Sequence, residues 1–296
     1  MFKNILVPVT SSLLCEQAAD AAIAFARRFE SNLVLMTVHG FEHTWGEAEL
    51  LERPEELKRI EEGMDKHFAR KLEGVAKYKI VVAQGVPHVE ILRMARDSSA
   101  DLILMCPYRK ELPQTKDLLW TRVGHTLERV IQNAHCPVMM VNQPVPADGH
   151  VFRHVLAATG LSGKDGSCVE YAAQLARKCG AKLTVFSVLD TDAGAAYLAQ
   201  EEIGRVVEER LARMAADYGE MAKGVGKVEY KCQEGQTAVE ILKVARQRGA
   251  DVIVMAHHTR EADLECAFER STVVHVAFRA LCPVVSINRK FQMSAG

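Results

Sequence analysis

Gly85-Val-Pro-His-Val-Glu-Ile-Leu-Arg-Met-Ala-Arg-Asp-Ser-Ser-Ala-Asp-Leu-Ile-Leu-Met105 and Gly235-Gln-Thr-Ala-Val-Glu-Ile-Leu-Lys-Val-Ala-Arg-Gln-Arg-Gly-Ala-Asp-Val-Ile-Val-Met255 are one segment written twice. Each reads as a turn glycine, a short helix and then a four-residue apolar run of strand character. The offset is 150 residues, and it holds on the N-terminal side as well. Phe2-Lys-Asn-Ile-Leu6 falls on Phe152-Arg-His-Val-Leu156, and Leu33-Val-Leu-Met-Thr-Val38 falls on Leu183-Thr-Val-Phe-Ser-Val188. Beyond Met105 the offset drops to 146, where Ala134-His-Cys-Pro-Val138 matches Ala280-Leu-Cys-Pro-Val284. The first copy therefore carries four more residues between Met105 and Ala134 than the second does between Met255 and Ala280. A period this long denotes a duplicated domain rather than a solenoid repeat.

The seam lies in Asn142-Gln-Pro-Val-Pro-Ala-Asp-Gly149, whose two prolines and glycine extend neither strand nor helix. We expect one domain over 1–143, a linker over 144–149 and a second domain over 150–296. So short a linker predicts that the copies pack against each other.

Each copy alternates strand and helix. In the first, Ile5–Val9 is apolar throughout, as in a strand covered on both faces. A helix over Glu16–Phe29 places Ala19, Ala22, Ile23 and Ala26 on one stripe. Leu33–Val38 is the second strand. A longer helix is expected from Pro54 to about Ala76, followed by strand Lys79–Ala83, helix Val89–Asp97 and strand Leu102–Met105. Helix Arg122–Ala134 and strand Val138–Val141 complete the copy. The second copy repeats this order, with Ile203, Val207, Leu211, Met214 and Tyr218 on one face of its long helix. Such alternation predicts an α/β fold with a parallel sheet and right-handed crossovers. Open sheets of this kind bind ligands beyond the carboxyl ends of the strands, where strand order reverses.

Bulk properties narrow the function classes. A formal net charge of −1 over 296 residues gives no electrostatic reason to expect nucleic acid or an anionic membrane as partner. No apolar run approaches the roughly 20 residues of a membrane span. Met1 leads straight into a strand, without the pattern of a secretory signal, so a cytoplasmic protein is expected. The eight cysteines form no C-x-x-C pair, and most read as buried small hydrophobes.

These blocks, in this order and twice over, resemble the universal stress protein family. The carriers are the strand-one turn Pro8-Val-Thr-Ser-Ser12, Val38-His39 after strand two, Gly85-Val-Pro87 and Gly235-Gln-Thr237 before the third helix, the Ala-Asp-Leu-Ile-Leu-Met run at 100–105, and Ala-x-Cys-Pro-Val before each last strand. The resemblance implies two tandem five-stranded parallel sheets of order 3-2-1-4-5 flanked by helices. It also implies pairing through strand five, within the chain or in a homodimer. One branch of the family binds ATP through Gly-x2-Gly-x9-Gly-[Ser/Thr] after strand four, where glycines let backbone amides reach phosphates at a helix N-terminus. ATP or AMP is thus the implied ligand class.

For the first copy the resemblance places a ligand at Pro8, Val9 and Thr10, at Val38 and His39, at Met105, Cys106 and Arg109, and at Gly124, His125 and Thr126. A weaker second set is Ala158, Thr159, Gly160, Val188, Met255, Ala256, Arg270, Ser271 and Thr272. Both depart from the ATP-binding pattern. The first copy has Cys106-Pro-Tyr-Arg-Lys where the leading glycines belong, and Pro107 and Pro113 remove amide donors. The second has no glycine there, and the strand-one aspartate is Thr10 in one copy and Gly160 in the other. Arg109, Lys110, Lys116 and Arg122 are candidate replacements for the missing donors, or else solvated loop charges.

Other constellations are weaker. Gly160, Gly163 and Gly166 follow strand one of the second copy, either as an anion nest or, as we favour, as a turn with Ser167 capping the next helix. His257, His258 and Cys266 are the candidate metal ligands, without a standard spacing. His39 and His43 are read as crevice-lining. No nucleophile has an identifiable base, and Cys106 reads as pocket lining. The expectation is a stress-response or regulatory protein that binds a nucleotide-like small ligand, foremost in the first copy. The alternatives are a scaffold that works through protein contacts and, at most, weak ATP hydrolysis.

Overall fold

The first strand of each copy has no polar face, so both of its faces must be covered. In the computed structural model Ile5, Leu6 and Val7, and Val155, Leu156 and Ala157, are each at most 1% exposed. The structure describes residues 1–10, 13–39, 54–106, 125–143, 152–163, 165–190, 200–257, 271–288 and 291. By its contacts the chain divides into two units, Met1–Val138 and Met139–Gly296.

The elements of the first copy are β1 (Asn4–Pro8), α1 (Leu13–Phe29), β2 (Asn32–His39), α2 (Pro54–Phe68), β3 (Lys77–Gln84), α3 (Pro87–Asp97), β4 (Leu102–Met105), α4 (His125–Asn133) and β5 (Val138–Met140). Those of the second are β6 (His154–Ala158), α5 (Gly166–Cys179), β7 (Lys182–Asp190), α6 (Gln200–Tyr218), β8 (Val228–Gly235), α7 (Thr237–Arg248), β9 (Val252–His257), α8 (Thr272–Arg279) and β10 (Val284–Asn288). Strand order is β3-β2-β1-β4-β5 in one copy and β8-β7-β6-β9-β10 in the other. β1 pairs in parallel with β2 and β4, and β6 with β7 and β9. The expected order 3-2-1-4-5 therefore holds in both. In each, the chain leaves the first strand toward one edge and returns on its other side, which opens a crevice at the carboxyl ends of β1 and β4, or of β6 and β9.

The α1 stripe of Ala19, Ala22, Ile23 and Ala26 is buried as its spacing predicts. Small residues there let the helix lie close on the sheet. At the opposite end from the crevice, one aspartate fixes the start of each first strand. Asp101 accepts from the Lys3 and Asn4 amides at 2.8 and 3.2 Å, and Asp251 accepts from those of Arg153 and His154 at 2.5 and 2.8 Å.

One boundary departs from expectation. The helix predicted to reach about Ala76 ends at Phe68. The following carbonyls are taken by a side chain from α1: Arg27 donates to Lys71 O at 2.6 Å and to Glu73 O at 3.0 Å. Gly74 then turns the chain at φ +81°. The second copy uses the same device, with Arg177 donating at 2.8 Å to both Met221 O and Lys223 O, and Gly224 at φ +79°. The glycine that ends β8, ahead of α7, is held in a conformation that disfavours any side chain: Gly235 has φ +140°, and a Cβ there would lie 2.7 Å from Glu240 Cγ.

Candidate functional site

In the first copy the ladder between β1 and β2 continues to Val9, whose amide donates to Met36 O at 2.8 Å. Thr10 follows, exposed at the lip of the crevice. Its hydroxyl donates to Cys15 Sγ at 3.1 Å, and Cys15 Sγ lies 2.8 Å from Cys106 Sγ. The two cysteines are 4% and 5% exposed, so the floor between α1 and the end of β4 is made of sulfur. Contact with Cys15 and then burial push the Cys106 thiol far up, which keeps it protonated at any physiological pH. Pro8 is half-buried at the end of β1 and Met105 is buried at the end of β4. Val38 and His39 end β2. His39 is exposed, its carbonyl accepts from the Gly85 amide at 3.1 Å, and its Nε2 stands 4.0 Å from Glu56 Oε1. His125 opens α4 and Thr126 is half-buried in its first turn. The structure thus joins Thr10 and Cys106 through Cys15, a residue the sequence reading did not place in the site. Arg109, Gly124, Lys110, Lys116, Arg122, Pro107, Pro113 and His43 lie outside the described residues.

The second copy fills the same place differently. The position of Cys15 is taken by Asp165 and that of Cys106 by Ala256, each 150 residues on. Asp165 is 2% exposed. Its Oδ2 accepts from the Gly160 amide at 2.9 Å, the Ser162 amide at 3.1 Å and the Thr159 hydroxyl at 3.1 Å. Because the Thr159 proton is committed to Asp165, the Tyr218 hydroxyl, 3.0 Å away, donates to Thr159 Oγ1, which also receives the Leu161 amide at 3.0 Å. A buried carboxylate is tolerable because it is this well supplied with donors. The network holds Leu161 at φ +59°, in the left-handed region a leucine otherwise avoids. Burial, first of all, raises the Tyr218 phenol above its ordinary range.

This corrects the reading of the glycine-rich loop. It is a turn, but the residue at the helix N-cap is Asp165, and Ser167 lies inside the first turn of α5. The Asp165 backbone also receives the Cys168 and Val169 amides at 3.0 and 3.2 Å, so one residue starts the helix and ties back the loop. An anion nest fits poorly, because the amides of Gly160 and Ser162 already point at a carboxylate. Ala158 is buried at the end of β6 and accepts a long contact, 3.9 Å, from Cys168 Sγ. At the end of β7, Arg210 donates to Ser187 Oγ at 3.0 Å and to the Val188 carbonyl at 3.3 Å. Met255 is buried and Ala256 half-buried in β9, Ser271 is the N-cap of α8, and Thr272 is its first residue. Arg270, His258 and Cys266 lie outside the described residues. His257 is 4% exposed in β9, and among the described residues no cluster of three metal-ligating side chains occurs.

The strand order itself carried the signal that was missed. It makes β1 and β4 neighbours, which brings the first turn of α1 beside the residue that follows β4. Cys15 and Cys106 were readable as facing positions once that order was accepted.

Fold and crevice define a class: a duplicated, doubly wound parallel α/β domain with a small cleft at the switch point of each sheet. The model of the universal stress protein family matches residues 1–142 and again residues 152–288, and the chain belongs to that family. The universal stress protein MJ0531 of Methanocaldococcus jannaschii is 32% identical over 155 residues, 49% of this chain and 84% of the relative. MJ0577 of the same organism is 29% identical over 161 residues, 48% of this chain and 96% of the relative. Among solved structures, a universal stress protein from Archaeoglobus fulgidus superposes with a TM-score of 0.71 at 17% identity, over 98% of this chain and 99% of that one. That likeness extends the shared fold over both copies.

Proposed function

We propose that this tandem universal stress protein is a regulatory, non-enzymatic protein whose first copy binds a small nucleotide-like ligand, ATP or AMP, while its second copy has become structural. The carrying observation is Asp165. In the second copy a buried carboxylate occupies the crevice floor and consumes the loop amides that an anionic ligand would need. In the first copy the equivalent floor is the two cysteine sulfurs, and Thr10 and His39 stand exposed at the lip. The helix N-terminus at α4 supplies a dipole that favours a phosphate there.

The second reading, a scaffold that works through protein contacts, is supported for the second copy by the same carboxylate. We take the domains as 1–143 and 150–296 with 144–149 as linker. They are taken to pair within the chain through their last strands, with a homodimer as the alternative assembly, and to act in the cytoplasm. No helix of the described residues is long and apolar enough to cross a membrane.

A thermal-shift series with ATP, AMP and adenosine tests the proposal. At ligand well above Kd the midpoint rises by about 3–5 °C with ATP or AMP. Gly124→Asp, which places a carboxylate before α4, abolishes the rise, and Ser271→Asp, at the N-cap of α8 in the second copy, leaves it intact. No response to any nucleotide in the wild-type chain refutes the proposal. Loss only in Ser271→Asp reverses the assignment of copies.

A further inference from the structure

We propose that Cys15 and Cys106 are a reversible redox pair, converted to an intramolecular disulfide by a small uncharged hydroperoxide. The inference does not depend on whether the first copy binds nucleotide.

The two Sγ atoms are 2.8 Å apart, and a disulfide bond is about 2.0 Å long, so closure needs an approach of less than about 1 Å. The residues are held on separate elements, Cys15 within α1 and Cys106 directly after β4, which face each other because β1 and β4 are neighbours. They are 91 residues apart in sequence, so only the folded chain brings them together. The second copy cannot do this chemistry at the equivalent place, where it has Asp165 and Ala256.

The environment divides the labour between the sulfurs. Cys15 Sγ accepts the Thr10 hydroxyl at 3.1 Å, so it is the sulfur already supplied with a donor, and we assign it the first attack. Cys106, held as the thiol by Cys15 and by burial, is the resolving partner. Cys15 sulfur attacks one oxygen of the hydroperoxide. An S–O bond forms, the O–O bond breaks, and the alcohol (or water, from hydrogen peroxide) leaves with the Cys15 proton. Cys106 sulfur then attacks Cys15 sulfur. The S–S bond forms, the S–O bond breaks, and the hydroxyl leaves as water with the Cys106 proton. Two thiols and one hydroperoxide thus give one disulfide, one alcohol and one water, with two electrons passing from sulfur to oxygen. Burial sets the oxidant class, because both residues are at most 5% exposed. A hydroperoxide of a few atoms can reach them, whereas a bulky, charged peptide disulfide cannot.

The test uses the reduced full-length chain. It is treated with hydrogen peroxide, quenched with N-ethylmaleimide in denaturant and digested with trypsin, which leaves Cys15 and Cys106 on separate peptides that contain no other cysteine. The expected result is joint loss of label from both peptides, appearance of the linked pair, and recovery of both labels with dithiothreitol. Oxidised glutathione over the same period leaves both labelled. In Cys106→Ala, dimedone traps a sulfenic acid at Cys15. The proposal is overturned if both peptides keep their label while other cysteines lose theirs, or if either links to a different cysteine. It also fails if Cys15 proceeds to sulfinic acid with Cys106 still labelled. The wild-type peptide map decides the matter even if the variant does not fold.

Discussion

The two copies agree at the base of the sheet and disagree at its top. At the base, Asp101 and Asp251 hold the same amides, and Arg27 and Arg177 hold the same carbonyls. At the top, one copy closes its crevice floor with two thiols and the other with a carboxylate that binds its own loop. A fold needs the first kind of contact in order to exist, so both copies keep it. The crevice is not needed for folding, and there the chemistry is free to diverge. In the second copy the Asp165 carboxylate binds the protein's own loop, whereas the described floor of the first copy is a pair of cysteines.

The largest effect should come from breaking that asymmetry directly. Asp165→Ala leaves the buried Thr159 hydroxyl and two part-buried amides without their acceptor, at a cost of about 2–3 kcal/mol. Cys15→Ala, at the same position in the first copy, removes a small buried side chain and costs about 1 kcal/mol. Urea unfolding of the two variants measures the difference. Asp165→Asn, which keeps one acceptor oxygen, should recover part of the loss. Equal costs for Asp165→Ala and Cys15→Ala would mean that the carboxylate is not the keystone of its loop.

Much of this organisation was legible in the residues. The repeat, the alternation of strand and helix and the apolar stripe of α1 follow from periodicity, because burial on both faces leaves a clear pattern in a sequence, whereas the strand order was implied by the family resemblance. The early end of α2 was not legible, because its cause lies 46 residues away: Arg27 takes the carbonyl of Glu73. The role of Asp165 was hidden for a related reason. Asp-Gly-Ser before a helix reads as a cap, and only the folded loop turns the carboxylate backward onto Gly160. Topology brings the candidate residues at the strand ends to one side of the sheet, but the contact between Thr10 and Cys106 runs through Cys15 in the next helix.

A second, middle-sized effect tests where the copies should agree. Cys136 and Cys282 are equivalent residues before β5 and β10. Burial first, and then the nearby carboxylate of Asp101 or Asp251, pushes each thiol up to about 12. The unfolded chain ionises these thiols from about pH 9, whereas the folded chain holds them neutral. The folded state then binds more protons, so stability falls as pH rises. The stabilising contribution is fully present below pH 9 and is lost as the folded pKa near 12 is approached, at about 1.4 kcal/mol per thiol per pH unit. Thermal midpoints from pH 8 to 10.5 should therefore fall less steeply in Cys136→Ala and in Cys282→Ala than in the wild-type chain, and by the same amount in each. A difference between the two would show that the bases of the copies are less alike than their hydrogen bonds indicate.

The smallest effect belongs to the outer surface. In the first copy α1 is tied to the chain at and beyond the end of α2 by charge: Glu16 Oε1 lies 2.6 Å from His67 Nε2 and 3.5 Å from Lys71 Nζ, and Lys71 Nζ lies 2.9 Å from Asp20 Oδ1. In the second copy the equivalents of Glu16 and Lys71 are Gly166 and Met221, and a Cβ on Gly166 would meet Met221 Cε at 3.5 Å, so that position is apolar. The hydrogen bond from His67 leads the causes that hold the Glu16 carboxyl below its usual range. The stabilisation is thus present above the unfolded carboxyl value of about 4.5 and is lost as pH falls through the lower folded value. Because these side chains are partly exposed, the network contributes no more than about 1 kcal/mol and is screened by salt. Glu16→Gln should lower the stability of the first copy by about that much or less near neutral pH and low salt, and by nothing measurable near 1 M salt. The second copy, with methionine over glycine, should show no such salt dependence at this position, and Met221→Ala should cost the same at both ionic strengths.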